Sequence, residues 1–376
     1  MARALSRRGH NVHVVTVGLS HHGVMMEGDI TVHRIPATNG RLRSISYLLH
    51  SYRVSREIAG CQTRFDVVQA SEWSGEAYCY SFRPRFPLIS RLATPSFLVR
   101  RLNRSDRRPA SRVVNHMERT QVCNSTGIIS STGALAKVVC AEWHIPPAFV
   151  QIVPNCVDTA WIGSFEEVPP KADVWSLDYL LFYGRLEERK GVQVLAEALP
   201  GILRNYPDLG VVFVGADGAY QGHPMREHVR KRCSSYADRL TFLDALPQPQ
   251  LFPIVARARL VVLPSIWEAF GFVCLEAMCV GRAVVASAGS GFEEIIEDGH
   301  SGYLVEPGNA RDLEAMLAWC LAHPEEVMRV GRKGRDRAKS FDADNIALSL
   351  VQCYERLLRP KSESSVQGWE ERRKAL

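Results

Sequence analysis

Short runs of apolar, mostly β-branched residues alternate along this chain with longer segments in which apolar residues recur every three or four positions. The short runs predict β-strands, and the longer segments predict amphipathic helices. Several of the strands are apolar at nearly every position, which is typical of parallel sheets covered on both faces. The predicted strands are residues 12–17, 30–35, 65–69, 87–92, 127–130, 150–153, 179–183, 210–214, 240–243, 260–263 and 283–286. The alternation predicts an α/β fold with crossover helices.

The predicted elements fall into two groups separated by a polar stretch. Residues 168–178 include Pro169, Pro170 and Lys171 and interrupt the alternation, which predicts a linker. A chain of 376 residues is long enough for two domains that each bury a core. We expect a Rossmann-like, doubly wound domain over residues 1–168, a second over 174–340, and a C-terminal segment 341–376 whose helix returns to the first domain. The two domains are expected to face each other across a cleft, at the carboxyl ends of their strands.

Composition indicates a cytosolic protein. Hydrophobic residues make up 46% and charged residues 23% of the chain, and no apolar run approaches the roughly 20 residues of a membrane helix. The N-terminus lacks the hydrophobic core of a signal peptide. The ten cysteines contain no Cys-x-x-Cys pair, so scattered reduced thiols are expected rather than the alternatives, a zinc site or a disulfide framework.

Positive charge is concentrated in the first third of the chain. Residues 1–120 hold 19 Arg, no Lys and 8 acidic residues, a net charge of +11, whereas the remainder carries −5. One polar stretch collects six arginines: Arg100, Arg101, Arg104, Arg107, Arg108 and Arg112. Such a patch suits an anionic membrane or a phosphorylated acceptor, and a solvated loop is the alternative. No nucleic-acid-binding module accompanies it, so no nucleic-acid partner is expected.

Two loops that follow predicted strands carry candidate ligand-binding residues. After strand 260–263, Gly271 opens a predicted helix whose first turn presents free backbone N–H groups, while Glu268 and Glu276 can accept hydrogen bonds from vicinal hydroxyls. After strand 179–183, Arg185 and Lys190 can converge on phosphate oxygens. The alternatives are a helix-capping role for Glu268, a surface position for Glu276, and solvated positions for the two bases.

Together these segments resemble glycosyltransferase family 4 (glycosyl transferases group 1), a family of retaining enzymes with the GT-B fold. Residues 184–191 resemble its G-R-L-x-x-x-K-G segment, and Glu268 and Glu276 its E-x7-E pattern. Residues 288–296 look like its glycine loop. Residues 153–158 look like its "PNGVD" segment, with Cys156 in place of the usual glycine. The resemblance covers roughly residues 1–358.

The resemblance implies a nucleotide-sugar donor site and a role for each matched residue. Arg185 and Lys190, after Gly184, would hold the donor pyrophosphate. Glu276 would bind the ribose hydroxyls, and Glu268 the hydroxyls of the transferred sugar. Backbone amides around Phe270, Gly271 and Phe272 would complete the cradle. The released phosphate would take the acceptor proton on the same face, so that neither a metal ion nor another cofactor is required.

Asp342-Ala343-Asp344 has the form of a metal-binding D-x-D motif, but its position argues against that role. It opens the last predicted helix, where Asp342 suits the N-cap and Asp344 suits the helix dipole. We therefore expect no metal site in the chain.

Two departures from the family pattern bear on activity. Residues 1–12 resemble the end of the family's first helix and its second strand, so the first strand and its glycine-rich loop lack counterparts in this sequence. That strand would be central, and its neighbours would be left with unpaired edges. Ala93 stands where the family usually has a sugar-contacting histidine. Glu118 is expected to have a structural role that links its helix to a loop.

The expected function is transfer of a hexose from a nucleoside-diphosphate sugar to a glycan or lipid-linked acceptor in cell-envelope polysaccharide or glycolipid synthesis. We expect the protein in the cytoplasm, including the inner face of the membrane. The alternative, which Ala93 motivates, is a non-catalytic GT-B subunit that binds a partner glycosyltransferase.

Overall fold

A computed structural model describes residues 1–18, 22–38, 43–103, 109–170 and 178–359. The chain divides into two compact units, one of Met1–Pro154 with Asp344–Leu376 and one of Asn155–Ala343. Residues 155–168 were expected in the first domain but belong to the second unit. The reason is that Val157 and Ile162 are buried in the core of the second unit. The middle of the expected linker, residues 171–177, the arginine-rich residues 104–108 and the tail from residue 360 lie outside the described residues.

The first unit contains two separate sheets with helices. Its strands are β1 (Val12–Gly18), β2 (Gly23–Glu27), β3 (Ile30–Pro36), β4 (Val68–Ser71), β5 (Leu88–Leu92), β6 (Gly127–Ser130) and β7 (Val150–Ile152). Its helices, before the C-terminal one, are α1 (Ala2–Arg7), α2 (Arg43–Gly60), α3 (Tyr78–Ser81), α4 (Ser96–Leu102), α5 (Pro109–Asn124) and α6 (Gly133–Trp143). The four-stranded sheet β4-β5-β6-β7 is parallel, whereas β1-β3-β2 combines a parallel and an antiparallel pair.

One edge of β1 and one edge of β4 have no strand partner among the described residues. A cavity of about 340 Å³ is lined by residues of both strands, including Val15 and Val17 of β1 and Gln69 and Ser71 of β4. The chain thus forms two sheets where one continuous sheet is typical of a doubly wound domain.

The second unit is built on one parallel sheet of six strands. Its strands are β8 (Asp178–Tyr183), β9 (Leu209–Val214), β10 (Ala219–Tyr220), β11 (His223–Pro224), β12 (Leu240–Leu243), β13 (Leu260–Leu263), β14 (Val284–Ser287) and β15 (Tyr303–Val305). Its helices are α7 (Thr159–Gly163), α8 (Val192–Asn205), α9 (Met225–Arg232), α10 (Gln248–Arg257), α11 (Phe272–Cys279), α12 (Phe292–Ile295), α13 (Ala310–Ala322) and α14 (Pro324–Ala338). The sheet order is β12-β9-β8-β13-β14-β15, and β10 and β11 form a short antiparallel pair outside it. Buried apolar clusters lie on both faces, which explains why the strands are apolar throughout.

The last helix, α15 (Ala343–Leu358), belongs almost entirely to the first unit. Leu357 packs against the start of β6, where a Cβ added to Gly127 would come within 2.8 Å of the leucine side chain. Tyr354 donates a hydrogen bond to the Gln69 side chain at 2.9 Å. Among the described helices, none has the length and apolar character to cross a bilayer.

Candidate functional site

The candidate site lies at the carboxyl ends of β8 and β13, the two central strands of the second unit. Gly184 follows β8 and Gly215 follows the adjacent strand β9, and the two backbones touch. A Cβ on Gly215, whose φ is +151°, would lie 1.9 Å from the Gly184 carbonyl oxygen. Only a residue without a side chain allows the chain to leave both strands this closely. The turn directs residues 184–191 over the end of the sheet.

The loop after β8 is fastened to the loop after β13 through backbone contacts. Residues Glu188–Lys190 form a single 3₁₀ turn that ends at Gly191, with φ of +70°. A Cβ on Gly191 would lie 1.7 Å from the Pro264 carbonyl oxygen. The Ile266 N–H also donates to the Arg189 carbonyl at 2.9 Å. The two segments singled out in the sequence, almost 80 positions apart, therefore form one surface.

A cluster of charged side chains joins these two loops. The Lys190 ammonium donates to Oε2 of Glu268. Arg189 lies on the other side of this carboxylate, with Nη1 3.8 Å from Glu268 Oε1. A second Arg189 nitrogen, Nη2, lies 2.9 Å from Oε1 of Glu187. Two cations therefore hold the Glu268 carboxylate in position.

The three basic residues of this loop differ in their exposure to solvent. Arg189 is 5% exposed, whereas the side chain of Arg185 is 61% exposed and touches the cluster through Glu187, at 3.3 Å. Lys190 is intermediate. Arg185 is therefore an exposed cation, Lys190 is only partly accessible, and Arg189 is an internal support. Arg189 is not recognisable from the sequence, because nothing in a run of two adjacent bases indicates which one is buried.

Helix α11 begins directly after this cluster. Gly271, with φ of +107°, is its N-cap, and no side chain caps the helix. A Cβ on Gly271 would lie 2.5 Å from the Phe292 ring. Phe270 is buried and its ring packs against Phe272, which is 47% exposed. The backbone predicted to form a cradle is therefore the first turn of a helix, where N–H groups favour an anion.

The glycine loop predicted from the third segment closes on the same backbone. The Gly291 N–H donates to the Glu268 carbonyl at 2.9 Å. A Cβ on Gly291 would lie 2.7 Å from the Ala269 carbonyl oxygen. The three segments named from the sequence thus meet around Glu268.

Glu276 lies on α11 with partners different from those of Glu268. Its Oε1 accepts a hydrogen bond from Nε2 of Gln248, the first residue of α10, at 3.4 Å. The hydroxyl of Tyr183, at the end of β8, lies against the same helix and donates to the Val273 carbonyl. Burial raises the pKa of the Glu276 carboxyl, and the hydrogen bond from Gln248 opposes that rise. Glu276 is therefore a half-buried acceptor held by Gln248, with the Tyr183 side chain packed against the same helix.

The geometry argues against the capping role and the surface position that were the alternatives for the two glutamates, and their ligand-binding roles stay predictions. Glu268 does not cap α11, because its carboxylate is engaged by Lys190 and Arg189. Glu276 is not a fully exposed surface residue. No motif indicates Gln248 or Tyr183 as neighbours of Glu276, since both approach it through tertiary packing.

In the first unit, two buried glutamates organise the backbone around Ala93. Both carboxylate oxygens of Glu72 accept from the Ala93 N–H, at 2.8 and 3.0 Å. Glu118 of α5 accepts from the backbone N–H groups of Ser74 and Ser96, at 3.0 Å each for the shorter contacts. Glu118 therefore links its helix to the start of α4 and to the 3₁₀ turn at Ser74, in keeping with its expected structural role. Burial raises the pKa of the Glu72 carboxyl to about 8, and the Glu118 charge adds to the rise.

The two aspartates of the D-x-D segment have separate partners. Asp342 Oδ2 accepts from the Thr159 N–H at 3.2 Å and from its hydroxyl at 2.5 Å. Asp344 Oδ1 pairs with Arg7 at 2.9 Å. Among the described residues, no metal-ligand cluster includes either aspartate.

Solved structures with the same fold define the class of the protein. The chain matches sucrose-phosphate synthase from Thermosynechococcus elongatus with a TM-score of 0.75 and 20% identity, over 95% of this chain and 91% of that one. It also matches Anabaena HepE, solved in complex with UDP and glucose, with a TM-score of 0.65 and 19% identity over 87% and 86% of the two chains. The fold is that of the GT-B glycosyltransferases.

Sequence comparison then gives the family. Residues 1–161 match the family model described as Glycosyltransferase Family 4, and residues 175–337 match Glycosyl transferases group 1. D-inositol 3-phosphate glycosyltransferase of Segniliparus rotundus is 28% identical over 254 residues, which are 67% of this chain and 56% of that protein. The chain thus spans little more than half the length of this relative. It belongs to the family 4 type of GT-B glycosyltransferases, the family that the sequence motifs indicate.

Proposed function

We propose that the protein transfers a hexose from a nucleoside-diphosphate sugar to a glycan or lipid-linked acceptor, with retention of the anomeric configuration. The observation that carries the proposal is the cluster of Lys190, Arg189 and Glu268 at the carboxyl ends of the two central strands. It places a partly accessible ammonium and a fixed carboxylate beside an uncapped helix N-terminus, a combination suited to a diphosphate joined to a polyol.

The diphosphate is the part of the donor that the cationic residues suit. Lys190 and Arg185 supply charge, and the first-turn amides of α11 supply oriented N–H donors. Charge that develops on the leaving diphosphate as the glycosidic bond breaks would be stabilised by these groups, which are already in position before reaction. No step of this scheme calls on a metal ion.

The hydroxyl-rich parts of the donor are assigned to the two glutamates. Glu268, held by two cations, would accept hydrogen bonds from the hydroxyls of the transferred hexose. Glu276 would accept them from the ribose, with Gln248 fixing its side chain. UDP is the first nucleotide to test, because the Anabaena relative was solved with UDP and glucose.

The proposed reaction exchanges one bond at the anomeric carbon for another on the same face. The bond from the anomeric carbon to the diphosphate oxygen breaks, and the acceptor oxygen bonds to that carbon. The acceptor proton moves to an oxygen of the released diphosphate, which leaves as a nucleoside diphosphate. Lys190 and Arg185 hold the diphosphate next to the acceptor during this exchange.

The acceptor is proposed to lie at a membrane surface, in synthesis of cell-envelope polysaccharide or glycolipid at the cytoplasmic face. Helix α2 exposes a row of apolar side chains spaced for one helix face: Ile45, Leu48, Leu49 and Tyr52. The unit that carries this row also contains the net positive charge of residues 1–120. An apolar row on a cationic unit suits peripheral contact with anionic lipid. The Segniliparus relative is named for a phosphorylated acceptor, inositol 3-phosphate, which is a soluble acceptor to include in tests.

Release of nucleoside diphosphate tests this proposal. UDP- and GDP-hexoses would be incubated with the protein and either inositol 3-phosphate or anionic vesicles that contain a phosphoinositide. Acceptor-dependent release of UDP or GDP that is lost in Glu268→Gln supports the proposal. Nucleotide binding without release under any acceptor condition would contradict a catalytic role.

The competing proposal is a non-catalytic subunit that binds a partner glycosyltransferase, and Ala93 is the observation that favours it. The Ala93 backbone is already engaged by Glu72, and its methyl group offers nothing to a sugar. Activity restored or raised by Ala93→His would argue for a weakened enzyme. A chain with no nucleotide binding and a stable complex with a second glycosyltransferase would favour the subunit.

A further inference from the structure

Three metal-binding side chains converge in the first unit, away from every motif used above. His13 lies on β1, His33 on the adjacent parallel strand β3, and Cys61 directly after α2. Because Val15 pairs with His33 in the register of the two strands, His13 and His33 project from the same face. One ligand atom from each residue lies within 4.8 Å of the other two. Among the described residues this is the one group of three such side chains found so close together.

The contacts fix the orientation of both imidazoles. His33 Nδ1 lies 2.8 Å from Oε1 of Glu57, which makes that nitrogen the protonated donor and leaves Nε2 as the lone-pair nitrogen. His13 Nδ1 lies 2.9 Å from that Nε2, and Cys61 Sγ lies 4.0 Å from it. The His13 ring is packed edge-on by Phe65, with centroids 4.9 Å apart. A carboxylate behind a histidine is the usual support of a metal ligand.

We propose that His13, His33 and Cys61 form a structural site for zinc, with water as the fourth ligand. Two nitrogens and one thiolate form a donor set that suits a borderline-soft divalent ion. Tetrahedral zinc with bonds of about 2.0–2.1 Å to nitrogen and about 2.3 Å to sulfur would place the nitrogens about 3.3 Å apart and the nitrogen and sulfur about 3.6 Å apart. The observed separations of 2.9 and 4.0 Å each require an adjustment of only about 0.4 Å.

Binding of the ion releases one proton to solvent, and the other protons of the three side chains stay on the protein. Cys61 loses its thiol proton when the thiolate binds the ion. The His13 proton, which now lies between the two imidazoles, moves to the other nitrogen of the same ring, so that Nδ1 can bind the ion. His33 keeps its Nδ1 proton on the hydrogen bond to Glu57 and binds through Nε2.

Two cavities give an ion access to the three side chains, and nearby hydrogen bonds fix the position of the thiol. His13, His33 and Cys61 all line both a cavity of about 370 Å³ and the cavity of about 340 Å³ beside β1. Arg85 donates to the carbonyls of Ala59 and Cys61, at 3.0 and 2.9 Å, and so fixes the turn that presents the thiol. The ion would link the end of α2 to strands β1 and β3 of the three-stranded sheet. It would have no part in the donor chemistry of the second unit.

Cobalt substitution tests the site in the full chain. The protein would be stripped with a chelator, desalted, and titrated with Co²⁺ without oxygen. We expect one equivalent bound, with the intense visible bands of four-coordinate cobalt, a thiolate-to-cobalt charge-transfer band, and loss of both on addition of one equivalent of Zn²⁺. Wild-type protein with no charge-transfer band would overturn the proposal.

Matched variants assign the ligands. Cys61→Ser should abolish the charge-transfer band. Glu57→Gln, which removes the carboxylate behind His33, should weaken cobalt binding by about 10–100-fold, the range for such supporting groups. His13→Gln should weaken cobalt binding at least as much as Glu57→Gln does. Cys79→Ser and His116→Gln, in the same unit but outside the cluster, leave the spectrum unchanged. A band that survives Cys61→Ser would place the metal elsewhere.

A second measurement needs no substitution and so does not depend on whether the variants fold. Iodoacetamide would be applied to the unsubstituted chain with and without Zn²⁺, and the labelled peptides would be identified by mass spectrometry. Zinc should slow labelling of Cys61 and leave Cys79 unaffected. Equal labelling of Cys61 in both samples contradicts the site.

Discussion

Lys190 and Glu268, 78 positions apart in sequence, form an ion pair that joins the loops after β8 and β13. Both side chains are largely buried, with 15% and 11% of their surface exposed. The pair keeps the ammonium and the carboxylate in place when no ligand balances them, which avoids an isolated buried charge. When a donor binds, its diphosphate would contact the Lys190 ammonium and its sugar hydroxyls would donate to the Glu268 carboxylate. Two contacts with the donor would then replace the single ion pair between the two side chains.

Lys190→Ala should weaken binding of a nucleoside diphosphate by about 1.5–3 kcal/mol, the range for a hydrogen bond to a charged group. Calorimetric titration of the diphosphate measures the change. Lys333→Ala, an exposed lysine on α14, is the matched control and should bind as the wild type does. Equal affinity in the two variants would remove Lys190 from the donor site.

Arg189 and Arg185 should separate stability from binding. Arg189→Ala removes the buried cation shared by Glu187 and Glu268, which keep only Arg185 and Lys190, and should lower the free energy of unfolding by about 3 kcal/mol, the lower end of the range for breaking a buried pair. Arg185→Ala, at an exposed position, should change it by less than about 1 kcal/mol while weakening diphosphate binding. Urea unfolding and calorimetry measure the two effects. Equal destabilisation by both substitutions would contradict the internal role given to Arg189.

The alternation of strands and helices was enough to predict the α/β class and most strand positions, because burial on both faces leaves a clear apolar signature. Strand β2 is not predicted, since all of its residues are exposed and its apolar run is only three residues long, residues 24–26. Arg189 and the histidine–cysteine cluster were missed because burial and convergence across elements leave no local pattern.

Gly191→Ala should strongly destabilise the second unit. The added methyl group would overlap the Pro264 carbonyl at a residue with φ of +70°, so the two loops would have to separate. Gly299→Ala is a matched control, because its φ is +68° and nothing lies near its added methyl group. The control should cost about 1–2 kcal/mol of unfolding free energy, and Gly191→Ala at least about 2 kcal/mol more. Urea denaturation measures the free energy of unfolding of both variants. Equal losses in the two would show that the close contact between the loops is not required for stability.

The buried Glu72 carboxyl predicts a pH-dependent stability of the first unit. Its pKa is about 8 in the folded chain and near 4.5 when exposed, so the folded state keeps a proton that the unfolded state releases between these values. The stabilising contribution is complete below about pH 4.5 and is lost as the pH rises through about 8, with a slope of about 1.4 kcal/mol per pH unit at most. Glu72→Gln should reduce this slope between pH 6 and 8. Thermal unfolding across that range measures it, and an unchanged slope in the variant would assign the dependence to other groups.

The two glutamates of the candidate site should have distinguishable roles. Glu276→Gln should weaken binding of the free nucleoside diphosphate, because its carboxylate is assigned to the ribose. Glu268→Gln should affect the sugar-bearing donor more than the free nucleotide, because its carboxylate is assigned to the hexose. Comparing UDP with UDP-hexose for each variant measures the difference. If both substitutions altered only sugar discrimination, the assignment of Glu276 to the ribose would be wrong.

The most direct test of the account is calorimetric titration of UDP, GDP, ADP and dTDP into the folded, unsubstituted chain and into Glu276→Gln. A donor site at the ends of β8 and β13 predicts micromolar binding of one nucleotide and its loss in the variant. Absence of binding by all four nucleotides to the folded chain would contradict the donor site and favour a non-catalytic subunit.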